Sequence, residues 1–420
     1  MREMKDSGIE WIGKVPVEWK IDNPQYHFSQ RKDRAKQGMV QLTASQKYGV
    51  ITQTEYMERT GANIVTVQKD FDILKLVCAG DFVIHMRSFQ GGLEYSEKTG
   101  SISSAYVMLI PSNTIREPRY YKWFFKSSNY IDALSSTSNL LRDGQAMRWS
   151  NFIQLPILFP PAEEQQRIAD FLDAKCAEID ALTADIQTQI DTLEQYKRSV
   201  ITETVTKGLN PDAKMKDSGI QWIGNMPAHW DVIRGKYILR YMQKPVREDD
   251  GVITCFRDGE VTLRSNRRED GFTMSDKEIG YQGIDVGDLV VHGMDGFAGS
   301  IGISNSRGKA SPVLNVLDTD QCKRYIMYYL RSMAYSDVFL ALATGIRVRS
   351  CDLRWNKLAE LSYPVPPLDE QNAIVKHIDS VLSKADAVIA DKKAQLATLD
   401  EYKKSLIFEY VTGKKEVPTS

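Results

Sequence analysis

The 420-residue sequence has no run of 18 apolar residues, which excludes an ordinary transmembrane helix. Residues 1–6, Met-Arg-Glu-Met-Lys-Asp, contain no apolar signal core. The five cysteines are odd in number and form no CxxC pair. We therefore expect reduced thiols and a cytoplasmic location rather than disulfides or a zinc site.

Recognisable catalytic motifs are also missing. The five histidines show no HExxH or other metal spacing. The repeated glycines in 293–302 lack the Lys-Ser/Thr of a phosphate-binding loop, and a bent loop between strands explains them better. The stretch 23–26, Asn-Pro-Gln-Tyr, is similar to the loop with which amino-methyltransferases hold a flipped adenine, but it lacks the second proline. We expect no catalysis, with a methyltransferase acting alone as one alternative.

The formal net charge of −1 conceals an uneven distribution. Residues 1–160 carry 20 basic and 16 acidic side chains, whereas residues 161–208 carry 5 basic and 10 acidic ones. Residues 209–365 are again slightly basic, with 21 against 20. A polyanion would therefore meet the segments outside the acidic stretch, although neither segment is basic enough to hold it tightly by charge alone.

One long helical pattern occurs twice. The first copy opens Pro-Pro-Ala-Glu-Glu-Gln at residues 160–165, and the second opens Pro-Pro-Leu-Asp-Glu-Gln at residues 366–371. Prolines suit the entry to a helix, and acidic residues in its first turn are favoured by the helix dipole. Each copy would extend for about 65–70 Å at 1.5 Å per residue, which is longer than one globular core can cover.

Apolar residues recur along both copies at alternating steps of three and four, close to the 3.5-residue repeat of a coiled coil. We predict that the copies pair antiparallel; two separate amphipathic helices on separate cores are the alternative. Cys176, Ile190, Val200, Ala385 and Leu406 fit the seam, and Lys392 interrupts it. The other predicted seam residues are Ile168, Leu172, Ile179, Leu182, Ile186, Leu193, Tyr196, Ile374, Ile378, Leu382, Val388, Leu396, Leu399 and Tyr402.

The duplication extends beyond the helices. The leader Lys-Asp-Ser-Gly-Ile-Glu-Trp-Ile-Gly at residues 5–13 returns at 216–224 with one change, Glu to Gln. We expect the tryptophans of these leaders to pack in the core beneath a helix end. The predicted fold class is α+β, with two similar globular domains and two long antiparallel helices. The predicted boundaries are 1–159 and 209–365 for the domains, 160–208 and 366–413 for the helices, and 414–420 for a tail.

A common skeleton is visible in the two globular segments. Tyr-Gly-Val at 48–50 corresponds to Asp-Gly-Glu at 258–260, and both predict a turn between strands. Gly-Asp at 80–81 and at 287–288 leads into a β-branched run that predicts a strand. Helical stretches follow at 120–134 and 324–342, and Arg-Trp precedes each long helix. The frames match while the loop tips differ, which is typical of one scaffold adapted to two targets.

These features together resemble the specificity subunit of Type I restriction-modification enzymes. The similarity lies in the leader, the Gly-Asp strand, the Arg-Trp pair, the Pro-Pro-x-x-Glu-Gln opening, and the Tyr-Lys-Arg/Lys-Ser helix ends at 196–199 and 402–405. The resemblance implies a non-catalytic DNA reader, with each globular segment a target recognition domain for half of a bipartite, asymmetric sequence. The helices would set the spacer.

The same resemblance implies the partners: double-stranded DNA, two methylation subunits that dock on the helices, and two motor-nuclease subunits. S-adenosylmethionine, ATP and Mg²⁺ would be bound by those partners, and this chain would bind no metal. A protein–protein scaffold whose globular ends bind proteins is the alternative.

Base reading requires side chains with paired donors or acceptors, such as Arg for guanine and Asn or Gln for adenine. Exposed loop residues and phosphate contacts are the alternative for every candidate. The segment 345–349, Gly-Ile-Arg-Val-Arg, is the strongest candidate for proximity to DNA. The predicted DNA-binding residues are Gln46, Lys47, Tyr48, Arg87, Ser88, Gln90, Arg142 and Gln145 in the first segment, and Arg257, Asp258, Arg264, Met294, Asp295, Arg347 and Arg349 in the second.

Overall fold

A computed structural model describes residues 2–64, 73–137, 147–267, 279–342 and 353–418. The chain forms two compact units, one built from residues 1–186 and 394–420, and the other from residues 187–393. Each unit therefore contains one globular head and parts of both long helices. No helix in the described part of the chain combines the length and the apolar character needed to cross a membrane.

The first head consists of short strands and helices that precede the first long helix. Its elements are β1 Met4–Asp6, β2 Lys14–Pro16, β3 Lys20–Asp22, β4 Phe28–Arg31, β5 Leu42–Ser45, β6 Gly49–Thr52, α1 Gln53–Thr60, β7 Lys75–Val77, β8 Phe82–Ile84, α2 Ser88–Gly91, β9 Glu94–Tyr95, β10 Gly100–Ile102, β11 Val107–Pro111, α3 Pro118–Phe124, α4 Ser128–Ser136, α5 Trp149–Phe152, β12 Ile157–Phe159 and the long helix α6 Ala162–Lys207.

The second head follows the same plan. Its elements are β13 Met215–Asp217, β14 Asn225–Pro227, β15 Asp231–Arg234, α7 Gly235–Ile238, β16 Arg240–Met242, β17 Ile253–Cys255, β18 Val261–Leu263, β19 Gln282–Ile284, β20 Leu289–His292, β21 Ile301–Ile303, β22 Gly308–Ala310, β23 Leu314–Asp318, α8 Lys323–Tyr335, α9 Val338–Ala341, α10 Trp355–Glu360, β24 Ser362–Val365 and the second long helix α11 Leu368–Val411.

Each head is organised around a four-stranded antiparallel sheet. The strand order is β4-β11-β8-β9 in the first head and β16-β23-β20-β21 in the second. In the first sheet, Phe82 and Leu109 are paired and face the main core, whereas their neighbours Val83 and Met108 are paired and face a smaller core. This alternation follows from the two-residue period of a strand. The predicted duplication and the predicted Gly-Asp strands are confirmed.

The predicted hairpins are also present. Strands β5 and β6 pair through a turn at residues 46–48, which Gly49 follows, and β17 and β18 pair through a turn that contains Gly259. Both glycines have positive φ, 68° and 90°, a conformation that side chains with a Cβ disfavour. The predicted helical stretches differ from the structure, because each is divided in two. The first is broken between α3 and α4, where Phe125 turns into the core with no exposed surface.

The repeated Glu-Gln pair explains how the long helices begin. Gln165 and Gln371 are buried, and each donates its side-chain amide to the carbonyl of the first proline, Pro160 or Pro366, at 2.8 Å. In the first head, Trp19 Nε1 donates to Glu164 at 2.9 Å. Trp19, which follows the first leader, is therefore a core residue at a helix end, and the leader's own Trp11 is half-buried against the same core.

The helix ends are held in the same way. In the first unit, Tyr120 Oη donates to the carbonyl of Val411 at 2.7 Å. In the second unit, Tyr325 Oη donates to the carbonyl of Val205 at 3.1 Å. Each head thus grips the start of one long helix and the end of the other. The terminating Gly413 has φ of 68°, and a Cβ there would lie 2.5 Å from Pro16 Cγ.

The long helices pair antiparallel in both units. In the first unit, Phe171 packs against Tyr410 with ring centroids 4.5 Å apart, and Asp180 accepts from Lys403 at 2.6 Å. In the second unit, Asp386 accepts from Lys197, also at 2.6 Å. As the residue numbers increase along α6, the residue numbers of their partners on α11 decrease. The predicted antiparallel coiled coil is therefore confirmed.

The prediction of seam positions is wrong for four residues. Leu182, Tyr196, Val388 and Tyr402 are 47%, 51%, 45% and 54% exposed. The prediction selects residues for their apolar side chains, whereas the residues that pack between the helices recur at strictly alternating steps of three and four. The buried or half-buried positions are Leu172, Cys176, Ile179, Thr183, Ile186, Ile190, Leu193 and Lys197 on α6, and Ala385, Ile389, Lys392, Leu396, Leu399, Lys403, Leu406 and Tyr410 on α11.

Two lysines belong to this seam because their aliphatic stems can pack while their ammonium groups reach the partner helix. Lys197 and Lys403 are 18% and 26% exposed at the side chain, and each pairs with an aspartate of the opposite helix. The two ion pairs are related by the repeat. A polar residue at a seam position favours one register over others, so these lysines help to fix how the helices align.

Candidate nucleic-acid interface

A groove of ≈ 580 Å³ in the second head brings together residues that were predicted separately. It lies between the β17–β18 hairpin and the loop that follows β20, and we call it the second groove. Four of the seven predicted residues of this head line it: Arg257, Asp258, Arg264 and Asp295. Met294, which is 53% exposed, precedes Asp295 in the same loop. The remaining two, Arg347 and Arg349, lie outside the described residues.

Charge pairs link the hairpin and the loop of the second groove. Arg257 Nη2 donates to Asp295 Oδ1 at 3.1 Å, and both side chains are accessible, at 65% and 36%. On the hairpin side, Arg267 Nη1 donates to Asp258 Oδ2 at 2.8 Å, and its guanidinium lies 4.1 Å from the centre of the Phe256 ring. Surface pairs of this kind are weak, so they can be exchanged for ligand contacts at little cost.

Buried groups form the floor of the second groove. Ser300 is 1% exposed, and its hydroxyl has no hydrogen-bond partner among the described residues. Burial raises the pKa of the Cys255 thiol, which stays protonated at neutral pH. Burial also lowers the pKa of His292, so its imidazole is neutral there. The floor is thus uncharged, and the charge of the groove lies on its rim.

The first head has a groove of ≈ 650 Å³ between the β5–β6 hairpin, strand β9 and the long helices, which we call the first groove. Gln46, Lys47 and Tyr48, all predicted, line it at the tip of the β5–β6 hairpin. The Tyr48 ring lies between two cations, with Lys47 Nζ at 5.2 Å and Arg59 Cζ at 5.1 Å from its centre.

The hairpin of the first head touches the loop after β8. Gln46 Nε2 donates to the carbonyl of Arg87 at 2.9 Å, and a Cβ at Gly91 would lie 2.6 Å from Gln46 Cγ. Gly91 is therefore needed for this close approach. Arg87 and Gln90 are exposed on the loop, so three of the predicted residues share one surface.

One predicted contact is corrected by the structure. Ser88 is fully buried, and its hydroxyl accepts from the backbone N–H of His85 at 2.9 Å. Its side chain therefore organises the loop and is not available to bases. Arg142 and Gln145 lie outside the described residues.

Sequence reasoning missed several groove residues. Arg267 completes the rim of the second groove, and Arg59, Lys98 and Lys126 line the first. The one sequence signal for Arg267 is that it is a basic residue close to a predicted hairpin. Lys126 belongs to the turn between α3 and α4, far from the hairpin in sequence, and only the fold places it in the groove.

The two motifs that imitate catalytic sites have structural roles. Asn23 caps a 3₁₀ turn at 24–26: its Oδ1 accepts from Gln25 N at 2.9 Å and its Nδ2 donates to the Ile153 carbonyl at 3.0 Å. Both ends of the amide are thus occupied within the head. The glycine-rich stretch forms the bend between β20 and β21, with a 3₁₀ turn at 296–298, as predicted.

Comparisons with known proteins agree with this description. The sequence model of the Type I restriction modification DNA specificity domain family matches residues 27–192. The Type I restriction enzyme MjaVIII specificity subunit of Methanocaldococcus jannaschii is 22% identical over 422 residues, covering 96% of this chain and 94% of that protein. The putative MjaX specificity subunit of the same organism is 24% identical, covering 74% and 72%.

A solved structure shares the fold. It belongs to work on complex assembly and conformational transition of the Type I restriction-modification system, and it is 14% identical. The match has a TM-score of 0.65 and covers 96% of this chain and 99% of the other. Together with the duplicated heads and the paired helices, these matches show that the chain is similar to Type I restriction-modification specificity subunits over nearly its whole length, and that residues 27–192 match the specificity domain of that family.

Proposed function

We propose that each head reads one half of a bipartite, asymmetric DNA target. The observation that carries this proposal is the repeated frame with different reading side chains. The hairpin tip holds Gln46, Lys47 and Tyr48 in one head but Arg257 and Asp258 in the other. One frame would give both heads the same approach to a duplex, and different side chains would give them different sequences to read.

The chemistry of the second groove suits base edges in the major groove of DNA. An arginine such as Arg257 can donate two hydrogen bonds to guanine O6 and N7, and a carboxylate such as Asp295 can accept from cytosine N4. In the first head, Gln46 offers the donor and acceptor pair that suits adenine. The surrounding Lys47, Arg59 and Lys98 would contact phosphates, which position the protein without specifying sequence.

We propose further that the paired helices set the unread spacer between the half-sites. The helix α6 contains 46 residues, which corresponds to about 69 Å at 1.5 Å per residue. At about 3.4 Å per base pair, that length equals roughly 20 base pairs. It is sufficient to keep two readers about one turn of DNA apart.

Four of the exposed apolar residues of the long helices, all away from the helix ends, would provide a docking surface for the methylation subunits. Leu182 and Tyr402 belong to the first unit, and Tyr196 and Val388 belong to the second. Each immediately precedes a seam residue, so in heptad terms each pair lines one flank of the coiled coil. We call these pairs the flank sites. Two equivalent sites suit two copies of one partner.

Catalysis and its cofactors belong to the partners in this proposal. S-adenosylmethionine would be bound by the methylation subunits, and ATP and Mg²⁺ by two motor-nuclease subunits. The internal bonds of Asn23 support a non-catalytic role, because an adenine-binding loop needs a free amide. The complex would act in the cytoplasm, where DNA is accessible.

Selection of bound DNA from a random double-stranded library tests the proposed function. The chain, copurified with methylation subunits, is expected to enrich a sequence with two specified blocks separated by a fixed unspecified gap. Enrichment of a single continuous block would contradict two-headed reading. Failure to retain any DNA would instead favour a protein–protein scaffold, and methyl transfer by the isolated chain would favour an independent methyltransferase.

Arg257→Ala is expected to relax specificity at one position of one half-site. Loss of a bidentate base contact costs about 1–3 kcal/mol, so discrimination at that base should fall by roughly 5- to 150-fold. The other half-site should not change. Arg234→Ala is the matched control, because Arg234 is 59% exposed and also pairs with one carboxylate, that of Glu360. An equal loss of affinity for all DNA sequences would instead identify Arg257 as a phosphate contact.

A further inference from the structure

A histidine ends the same strand of both central sheets. His85 follows β8 and His292 ends β20, each five residues after the glycine of the Gly-Asp turn. The loop after β20 borders the second groove, and the loop after β8 contacts Gln46 of the first groove through the carbonyl of Arg87. Both heads therefore hold a histidine at the same place beside these loops.

In the second head, the imidazole is a hydrogen-bond acceptor for the loop backbone. His292 Nδ1 accepts from the N–H of Asp295 at 2.9 Å and is 3.2 Å from the N–H of Met294. Both donors can only donate, so Nδ1 carries no proton and the neutral ring has its proton on Nε2. This arrangement fixes the turn from which Asp295 projects.

The first head repeats the arrangement. His85 Nδ1 accepts from the N–H of Arg87 at 3.3 Å, and His85 is only 6% exposed. Ser88 closes the other side of the turn by accepting from the N–H of His85. The loop that carries Arg87 is thus tied to the strand end through one imidazole and one hydroxyl.

The charged and titratable groups around each ring differ. His85 Nε2 lies 3.5 Å from the buried Glu94, which accepts from Lys126, and the Tyr106 ring is 6.2 Å away. Arg87 extends from the same loop.

Around His292, the Nε2 atom lies 4.0 Å from Asp295, which is shared with Arg257. The Cys255 thiol lies beside the His292 backbone. The acceptor role of Nδ1 is the feature common to both heads.

We propose that His85 and His292 are positioning residues for DNA reading, in which the unprotonated Nδ1 holds the loop that presents Arg87 in one head and Asp295 in the other. This inference rests on the proposed function, because it assigns the residues that orient the proposed base contacts. Neither histidine touches DNA in this account.

Protonation removes the acceptor, which gives the inference a pH dependence with a definite sign. A positively charged imidazole has donors on both nitrogens and would face the backbone N–H groups of the loop. Burial lowers the pKa of His292, so the neutral form persists to a pH below the ordinary value of about 6.5. Reading of the second half-site should therefore be preserved above pH values near that ordinary pKa. It should be lost as the pH falls through the pKa that His292 has in the folded protein.

The test compares His292→Asn with His292→Gln in the complex with methylation subunits. The Asn Oδ1 occupies the place of Nδ1 but does not titrate in this range, whereas the Gln Oε1 occupies the place of Nε2. We expect His292→Asn to bind the selected target within about threefold of the wild type and to lose the pH dependence of second half-site reading. We expect His292→Gln to lose about tenfold in affinity and to relax only that half-site.

Both variants are polar and of similar size, and their thermal unfolding midpoints show whether the head remains folded. Equal behaviour of folded Asn and Gln variants overturns the inference, as does an unchanged half-site in both. If the Gln variant unfolds, an Asn variant that keeps the wild-type pH dependence overturns it instead. If the wild-type complex selects no DNA at all, the proposed function itself fails, which is a different result.

Discussion

Aspartate substitutions at the flank sites are expected to release the methylation subunits and leave the fold intact. Leu182 and Tyr402 are exposed on the first unit, and Tyr196 and Val388 on the second, so a charge at these positions disturbs no core. In a docked complex, the same charges would be buried in an apolar contact. Large buried interface residues contribute about 2 kcal/mol or more each, so two per site should weaken binding by roughly a thousandfold.

Because there are two flank sites, the prediction gives the number of methylation subunits that each variant should bind. Leu182→Asp with Tyr402→Asp alters only the first unit, and should convert a complex with two methylation subunits into one with a single copy. All four substitutions together should leave none. Native mass spectrometry of the copurified complex measures these masses directly.

Matched controls lie on the outward face of the same two helices. Ala181 and Ala394 are exposed in the first unit and face outward, away from the seam. Ala181→Asp with Ala394→Asp introduces the same two charges on the same helices and should leave two methylation subunits bound. An intact complex after all four flank substitutions, or equal loss in the alanine control, would contradict docking at the flank sites.

The sequence predicts most of the architecture because the repeat supplies an internal comparison. Occurrence in both halves predicts the Gly-Asp turns, the hairpins at Gly49 and Gly259, and the central strands, and the structure confirms them. Local patterns of period two and glycines at positive φ are set by neighbouring residues. They are therefore legible without knowledge of the fold.

The seam shows where such reasoning fails. Choosing Leu182 over Thr183 and Tyr402 over Lys403 follows hydrophobicity, but the helix pair follows the seven-residue period. A lysine can occupy a seam when a carboxylate such as Asp180 lies opposite, and that partner is more than 200 residues away in sequence. The exposed apolar residues next to the seam form the proposed flank sites instead.

The grooves could be predicted only in part. The turn signal alone predicts residues on one hairpin, such as Arg257 and Asp258. Arg257 and Asp295 lie on two loops that the fold of the sheet brings together, and no local sequence pattern specifies their contact. The prediction for Ser88 is wrong because a small polar residue in a loop is exposed or buried according to its contacts, here with the backbone of His85.

A heptad inserted into both long helices is expected to lengthen the unread gap of the target. Seven residues add about 10.5 Å of helix, equivalent to about three base pairs. The insertion sites are after Gln189 and after Lys392, whose side chains are hydrogen-bonded to each other in the second unit. A whole heptad keeps the seam in phase, so the pairing on either side is preserved.

Insertion into one helix alone is the control. It shifts one helix against the other and separates Lys197 from Asp386 or Lys403 from Asp180, so the register of the pair is lost. This variant should lose thermal stability and target selection, whereas the doubly extended variant should retain both. The comparison distinguishes a change in length from general damage.

The most direct measurement is the position of methylated bases across a genome in cells that contain the doubly extended chain and its methylation subunits. The expected pattern keeps both half-site sequences of the wild type and separates them by about three more unspecified base pairs. Methylation at the original spacing by a folded, doubly extended chain would contradict the claim that the paired helices set the distance between two DNA-reading heads.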